Sequence, residues 1–580
     1  MKRLRQQWLS LISLSDNQIG LALLSLLAGL ASALVITLFR LAIEFPFATL
    51  LPVANSDDFE HLSETARIAL LLGGSLLLIA IFYLIKPERR GVGVTHVLQR
   101  MESHQGYLPQ SNIVLQWIAA VIAIISGHSV GREGPAIHLG AGTASQIGQS
   151  VGLAHHRLRI IAGAGVASAI SASFNTPMAG VIFAMEVVLL EYNIRGFIPI
   201  ILASVAGAIV SEAVFGAQTA FAVPGVDMNS LLEIPYILAL GIIGGIVASG
   251  FILLVRFFQR LNNLPLWLKW GGLSAATALI SLQLPQVMGI GYDTVNDALA
   301  GKVIMGTLLG LLLAKLVLAA WAAAVGFPAG LIGPTLFIGA ALGGLLGQLS
   351  AWWLPQYPVS VGFYALLGMA ALMGAVLRAP LAALVALLEL SANPNIIMPG
   401  MLTIVIASLV VSEVFRLPSV FEVQLGGGHN YQQPDPVQQM LRNTWVAEAM
   451  EQSFVSASRQ LSPEAAGFIL QREPEWLLLE EENVILPPAA LAEALSLRKE
   501  QEAEGADSNP DDIDLIAIPA DRQQVERISL KANLQDALDL MQQHHLQWLA
   551  VYRDDQSSRC VGIVSRTHIE HFYHYQPRGR

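Results

Sequence analysis

The sequence predicts an all-α polytopic membrane protein built from two related halves of interrupted helices, with a soluble α/β region toward its C-terminal end. Composition supplies the first observation: of 580 residues 54% are hydrophobic and only 13% are charged, against roughly 25% charged residues in soluble domains. The second is a series of apolar runs that recurs up to about residue 415. The third is a glycine-proline motif that occurs twice, about 200 residues apart.

The opening "MKRLRQQWLSLISL" is basic and amphipathic. The apolar run behind it, 19–39, is too long for a signal peptide and carries no small-residue cleavage site, so it reads as an uncleaved first span. Further runs occupy 66–85, 112–125, 196–214, 234–255, 305–325 and 398–411. A crossing helix needs about 20 mostly apolar residues. Several runs are shorter, which points to helices that stop partway. Lys2, Arg3 and Arg5 precede the first span, the loop "NSDDFEHLSE" at 55–64 is acidic, and "KPERR" at 86–90 follows the second span. Basic residues favour the cytoplasmic side, so the N-terminus is expected there.

The repeat is legible residue by residue. "GREGPAIHLGAGTASQIGQ" from Gly131 lies over "GLIGPTLFIGAALGGLLGQ" from Gly330 without a gap, at an offset of 199 (131 against 330). "NTPMAGVIFAMEV" from Asn175 lies over "RAPLAALVALLEL" from Arg378 at an offset of 203 (177 against 380), keeping Pro177/Pro380 and Glu186/Glu389. Glycine-rich membrane helices can resemble one another by chance, but two nearly equal offsets, both falling on proline breaks in apolar sequence, argue for duplication. Halves of interrupted helices characterise carriers whose ligand sits near the midplane. Whether the halves are inverted is not readable from these residues alone.

The same motif places Arg132 and Glu133 in apolar sequence. Pro135 and Pro334 suit the start of a helix, and the glycines before them let backbone approach a ligand. Each start then presents unpaired N–H groups and the positive end of a helix dipole, which together hold an anion. "RRGVGVTHVL", with Gly91 and Gly93, offers a third. The expectation is a pocket for a small anion made largely of backbone, which the Glu133 carboxylate occupies when no ion does. An ionised side chain at the bilayer centre costs roughly 2.5–3.5 kcal/mol on insertion scales, so its placement calls for a role. A fixed Arg132–Glu133 salt bridge is the competing reading, weakened because adjacent side chains on a helix do not face each other.

"GREGP" at 131–135, "GLIGP" at 330–334, "GVGVT" at 91–95, "NTPMAGVIFAMEV" and "GIGYDTV" at 289–295 resemble, in order, the CLC family of chloride channels and chloride/proton antiporters, over residues 17 to about 430. The resemblance implies a homodimer in a bacterial inner (plasma) membrane, with one chloride pathway per subunit built from inverted halves and with cytoplasmic termini. It implies that Glu133 is the gate, that the backbone amides of Leu331 and Ile332 hold the central ion, and that Gly91, Val92, Gly93, Arg132, Gly134 and Phe421 complete the anion site. Three positions depart from the antiporter pattern. Val92 stands for a serine hydroxyl and Phe421 for a pore tyrosine, and neither can donate a hydrogen bond. Val187 stands for the glutamate that passes protons inward, so passive conduction is expected, with a proton-coupled antiporter using another route as the alternative. Glu186, next to it, has two readings: a substitute proton carrier, or a helix-packing partner of the kind that its repeat mate Glu389 suggests. His128 and His138 either tune Glu133 or serve packing.

The division expected is a membrane domain over 1–430 with repeats at about 20–215 and 230–415, a linker at 431–443, and a soluble region at 444–580. "RISLKANLQDALDLMQQHHLQWLAVYRDDQSSRCVGIVSRTHIEHF" alternates strand and helix and resembles a CBS module, and "WVAEAMEQSFVSASRQL" onward resembles a weaker first copy. Such pairs lie in the cytoplasm and can bind adenine nucleotides, but His568 stands where a ribose-binding aspartate often closes the last turn, so a dimerising role without a cofactor is expected. The net charge of −10 gathers in this tail and forms no basic patch for nucleic acid. Cys560 is the single cysteine, which excludes an intrachain disulfide and a thiolate metal cluster. No nucleophile-base set or phosphate loop points to an enzyme, and a membrane receptor or scaffold is the remaining alternative.

Overall fold

The computed structural model describes residues 18–50, 58–192, 194–217, 221, 228, 230–353, 360–426, 436–503, 512–553 and 559–574. Lys2, Arg3 and Arg5, residues 431–435 of the expected linker and 504–511 of the acidic insert lie outside them. The chain divides into a helical unit reaching Tyr431 and a second unit that is chiefly 432–580. Within the expected linker, Pro436–Asn443 is an α-helix.

The helical unit holds its elements twice. The first half runs α1 (Gln18–Leu50), α2 (Glu64–Leu84), α3 (Gly93–Ser103), α4 (Gln110–Ile125), α5 (Glu133–Val151), α6 (His155–Phe174), α7 (Pro177–Phe183, continued by a π-helical turn over Ala184–Leu189) and α8 (Ile194–Phe215). The second repeats the order: α9 (Ile234–Phe258), α10 (Leu266–Ser281), α11 (Tyr292–Leu299), α12 (Met305–Ala324), α13 (Ile332–Trp353), α14 (Val361–Leu377), α15 (Pro380–Ser391) and α16 (Ile397–Leu409), before a short α17 (Val420–Gln424). Among the described residues, seven helical stretches are long and apolar enough to cross a membrane, and four apolar helices are shorter. The protein is an integral membrane protein.

The halves are related by a local two-fold axis, and residues on it pair with their own repeat mates. Gly131 and Gly330 exchange two backbone hydrogen bonds of 2.8 Å each in an antiparallel bridge. The Ser75 and Ser274 hydroxyls bond to each other, and the His128 and Phe327 rings lie 4.7 Å apart. All three pairs share the 199-residue offset (131 to 330, 75 to 274, 128 to 327). Because the bridge is antiparallel, the two chain segments run in opposite directions across it, as a two-fold relation between the halves requires.

A second reciprocal device lies at the starts of α7 and α15. Glu389 Oε1 and Oε2 accept from the Met178 and Ala179 amides at 2.9 and 2.8 Å. Glu186 Oε1 and Oε2 accept from the Leu381 and Ala382 amides at 3.2 and 2.7 Å. Each carboxylate thus caps the other half's helix, satisfying two first-turn donors on its positive end. Arg67, buried in α2, donates to the Ser281 carbonyl that ends α10, at 2.6 Å.

The second unit carries a six-stranded sheet, β1 (Phe454–Ser456), β3 (Trp476–Leu479), β4 (Val484–Leu486), β6 (Gln523–Ser529), β7 (Trp548–Tyr552) and β8 (Cys560–Ser565), in that spatial order. Two short strands, β2 (Gln460–Leu461) and β5 (Ile513–Asp514), pair separately. The pattern of a parallel pair and then an antiparallel neighbour occurs in β1-β3-β4 and again in β6-β7-β8. A parallel pair needs a crossover, and the helices Pro463–Leu470 and Leu534–Gln543 supply it. Cys560 is buried on β8, its Sγ 3.1 Å from the Gly562 carbonyl.

Candidate functional site

Two glycine-led segments meet at the antiparallel bridge, and the side chain that fills the space between them is Glu133. The bridge requires glycine on both strands: a Cβ on Gly330 would lie 2.5 Å from the Gly134 nitrogen, and one on Gly131 would lie 2.5 Å from Glu133 Oε2. Glu133 opens α5 and is 1% exposed. Its Oε2 accepts from the Gly333 amide at 3.0 Å, in the first turn of α13, and its Oε1 accepts from the Tyr292 hydroxyl. The carboxylate therefore sits where the sequence places an anion, on an unpaired amide at the positive end of a helix. A hydrogen bond to a charged group contributes roughly 1.5–3 kcal/mol. Two of them are enough to offset the roughly 2.5–3.5 kcal/mol cost of a charge at bilayer depth.

Arg132 has a different environment. Its Nη1 lies 3.8 Å from Glu44 Oε1, its guanidinium carbon 5.2 Å from the centre of the Tyr292 ring, and Glu44 also meets Arg40 at 3.4 Å.

On the other side of the bridge, α3 starts at Gly93, whose φ of +80° disfavours a side chain. The Gly93 amide donates to Gln116 Oε1 at 2.5 Å, while Gln116 Nε2 donates to the Pro328 carbonyl at 3.2 Å. One buried amide side chain thus ties the α3 start to the loop leading into α13. Between them lies a small cavity whose lining includes Val92, Gly93, Ser129, Leu331 and Phe421. Of the residues expected at the anion site, Val92, Gly93, Leu331 and Phe421 share this cavity; Gly91, Arg132, Gly134 and Ile332 do not line it. The Gly91 carbonyl accepts from Asn112 Nδ2 at 2.8 Å, Gly134 abuts Gly330, and Ile332 is the first residue of α13. Val187 is buried, and the Glu186 carboxylate is the cap described above.

The histidines bond elsewhere. His128 shares hydrogen bonds with Ser75 and Ser274 at 3.0 and 2.7 Å. His138 Nε2 is 2.8 Å from His96 Nδ1, joining α5 to α3.

Three contributors were not singled out from the sequence: Tyr292, Gln116 and Lys315. Lys315 is fully buried in α12 and donates to the Val287 and Gly289 carbonyls at 3.1 and 2.8 Å, fixing the loop that presents Tyr292. The repeat could have found them. At the 199 offset Lys315 is the mate of Gln116 (116 to 315) and Tyr292 the mate of Gly93 (93 to 292). Each of the two polar side chains anchors the loop before the short helix of its own half.

Comparison with known proteins agrees with this geometry. A family described as voltage gated chloride channel matches residues 74–412, more than half of the chain. The chain belongs to that family. Residues 515–575 match the CBS domain. It is similar to the H(+)/Cl(-) exchange transporter ClcA of Cronobacter sakazakii, 27% identical over 418 residues that cover 69% of this chain and 88% of the relative. It is 30% identical to a putative chloride channel protein, ClcB-like, of Ralstonia nicotianae, over 57% of this chain and 78% of that one. Among solved structures, a slow cyanobacterial Cl−/H+ antiporter superposes with a TM-score of 0.62 at 20% identity, covering 71% of this chain and 98% of that one. A eukaryotic CLC transporter superposes with a TM-score of 0.58 at 20% identity and covers 94% of this chain and 97% of that one. The chain is thus a CLC protein of the anion-transporting type, with a CBS domain in its tail.

Proposed function

We propose that this CLC protein conducts chloride or a similar small anion passively, through one pathway in each subunit of a homodimer, with the Glu133 side chain as gate. The observation that carries the gating is the Glu133 carboxylate lodged on the Gly333 amide, where an anion would otherwise be held. Passive conduction rests on Val187, which cannot take up a proton, and on Glu186, whose two oxygens are engaged by the Leu381 and Ala382 amides. The opposing reading, a proton-coupled exchanger, draws on the relatives named as H(+)/Cl(-) exchange transporters. We place the protein in a bacterial inner membrane with both termini cytoplasmic. For the tail we favour a dimerising role without nucleotide, supported by His568, whose Nε2 lies 3.9 Å from Glu451 Oε2 and whose ring meets Trp548 edge-on.

Purified protein in liposomes decides between the two. With a chloride gradient as the only driving force, a passive pathway moves no protons uphill. Proton movement in fixed ratio to chloride refutes the channel reading. In the same vesicles Val92→Ser is expected to alter the preference among chloride, nitrate and fluoride.

A further inference from the structure

One side chain holds both walls of the cavity without lining it. Gln116, in α4, is fully buried. Its Oε1 accepts from the Gly93 amide and its Nε2 donates to the Pro328 carbonyl. An N–H can only donate and a C=O can only accept, so these two partners fix which end of the carboxamide is oxygen. Val92 and Gly93 line the cavity from the first half of the repeat, and Ala329, Gly330 and Leu331, which follow Pro328, line it from the second. Asn112, one turn earlier on α4 and also buried, donates Nδ2 to the Arg89 and Gly91 carbonyls at 3.2 and 2.8 Å. The loop into α3 is thus held from one helix at Arg89, Gly91 and Gly93. Of the two carboxamides, Gln116 is the one that carries the hold across to the other half.

The repeat shows what is special about this residue. Its mate Lys315 bonds to the Val287 and Gly289 carbonyls, both in its own half. An ammonium has donors only and cannot receive an amide, whereas a carboxamide has a donor and an acceptor on one rigid plane. Position 116 can therefore bond an N–H on one wall and a C=O on the other, and the fixed spacing of its oxygen and nitrogen sets a distance between them. The loop into α13 is pinned to the first half at two points: Gly330, by main chain to Gly131, and Pro328, by Gln116. The first lies on the repeat axis, and the second ties that loop to the start of α3. Polar groups held at a fixed spacing discriminate ions by size, and walls that can move apart admit larger ones.

We propose that Gln116 is a strut between the start of α3 and the loop into α13, and that by setting their separation it limits the size of anion the cavity admits. This rests on the anion-conducting reading above. The test uses the full chain in liposomes, in a Glu133→Ala background so that the gate does not vary, and reads the ratio of chloride to iodide flux. Gln116→Met keeps the length of the side chain and removes both hydrogen bonds. The preference for chloride is expected to fall by about tenfold, the value of one or two neutral hydrogen bonds. Gln116→Glu at acid pH, where its carboxyl is protonated, again offers one acceptor and one donor and is expected to keep the ratio of the parent. At alkaline pH it has no donor for the Pro328 carbonyl, and the ratio should drop. An unchanged ratio in Gln116→Met overturns the proposal and leaves the conduction reading intact. A fall in Gln116→Met that Gln116→Glu shares at acid pH marks a general loss of packing and also overturns it. If Gln116→Met does not fold, Gln116→Glu decides alone, and a ratio flat with pH overturns the strut. A Glu133→Ala parent that passes no anion refutes the conduction reading, and this one with it.

Discussion

Removing one oxygen atom at Tyr292 should open the pathway. The hydroxyl donates to Glu133 Oε1 while Oε2 is held by Gly333, so the lodged carboxylate depends on two donors and Tyr292→Phe leaves one. The ring keeps its packing, 4.9 Å from Phe221 and 6.3 Å from Phe174, so the substitution acts on the hydrogen bond and not on the fold. A hydrogen bond to a charged group is worth roughly 1.5–3 kcal/mol, and water entering the gap recovers part of it. The lower end of that range governs, and the ratio of open to closed gates should rise by about tenfold. Chloride efflux from liposomes with a potassium shunt, at fixed neutral pH, reads this directly. Glu133→Ala, which removes the gate, sets the ceiling, and Tyr292→Phe should fall between wild type and that ceiling. Efflux from Tyr292→Phe at or below the wild-type rate, with Glu133→Ala above it, would show that the hydroxyl does not hold the gate shut.

Other outcomes follow from the same geometry. Glu133→Gln should give flux that no longer depends on external pH, and unchanged pH dependence would remove Glu133 from the mechanism. Glu186→Gln and Glu389→Gln each weaken a two-donor cap and should lower thermal stability in detergent by similar amounts, about 0.5–2 kcal/mol by analogy with lost helix caps, with the flux ratio of protons to chloride untouched. Gly330→Ala puts a Cβ 2.5 Å from the Gly134 nitrogen and should cost about 1–3 kcal/mol through forced backbone movement, read as a lower melting temperature. In the tail, loss of hydration and then the neighbouring Glu475 carboxyl push Glu451 up to about 7 from 4.5. A raised carboxyl favours the folded state while protonated, so its contribution is full below 4.5 and is lost as pH rises through about 7. Glu451→Gln should therefore flatten the fall in the tail's unfolding temperature across that window.

The parts legible in the sequence are those with a repeating or costly signature. Two Gly-Pro motifs at a common offset gave the duplication, and a glutamate in apolar sequence gave the lodged carboxylate, because a charge at that depth needs a reason. By the same rule Lys315, inside "LLLAKLVLAA", merited equal weight, since a buried lysine in an apolar helix is a functional or structural marker. Helices α6 and α14 escaped a search for long apolar runs. The first, "HHRLRIIAGAGVASAISASF", is rich in Gly, Ala and Ser, yet most of its residues are buried, because close helix packing in membranes uses small residues more than greasy ones.

Under the proposed gating, the repeat explains how one chain makes both the holder of an anion and its competitor. A perfect two-fold would place identical groups on both sides of the axis, and two carboxylates there would repel each other. The bridge at Gly131 and Gly330 preserves the symmetry in the backbone, where a Cβ on either strand is excluded. Symmetry is broken in the side chains immediately beyond: Glu133 in one half is matched by Ile332 in the other (133 to 332), and Gly93 is matched by Tyr292. The first half therefore contributes the carboxylate, and the second contributes the amide of Gly333 and the hydroxyl of Tyr292 that receive it. Main chain from both halves, joined at the Gly131–Gly330 bridge, sets the distance between the Gly333 amide and the Glu133 carboxylate that it holds.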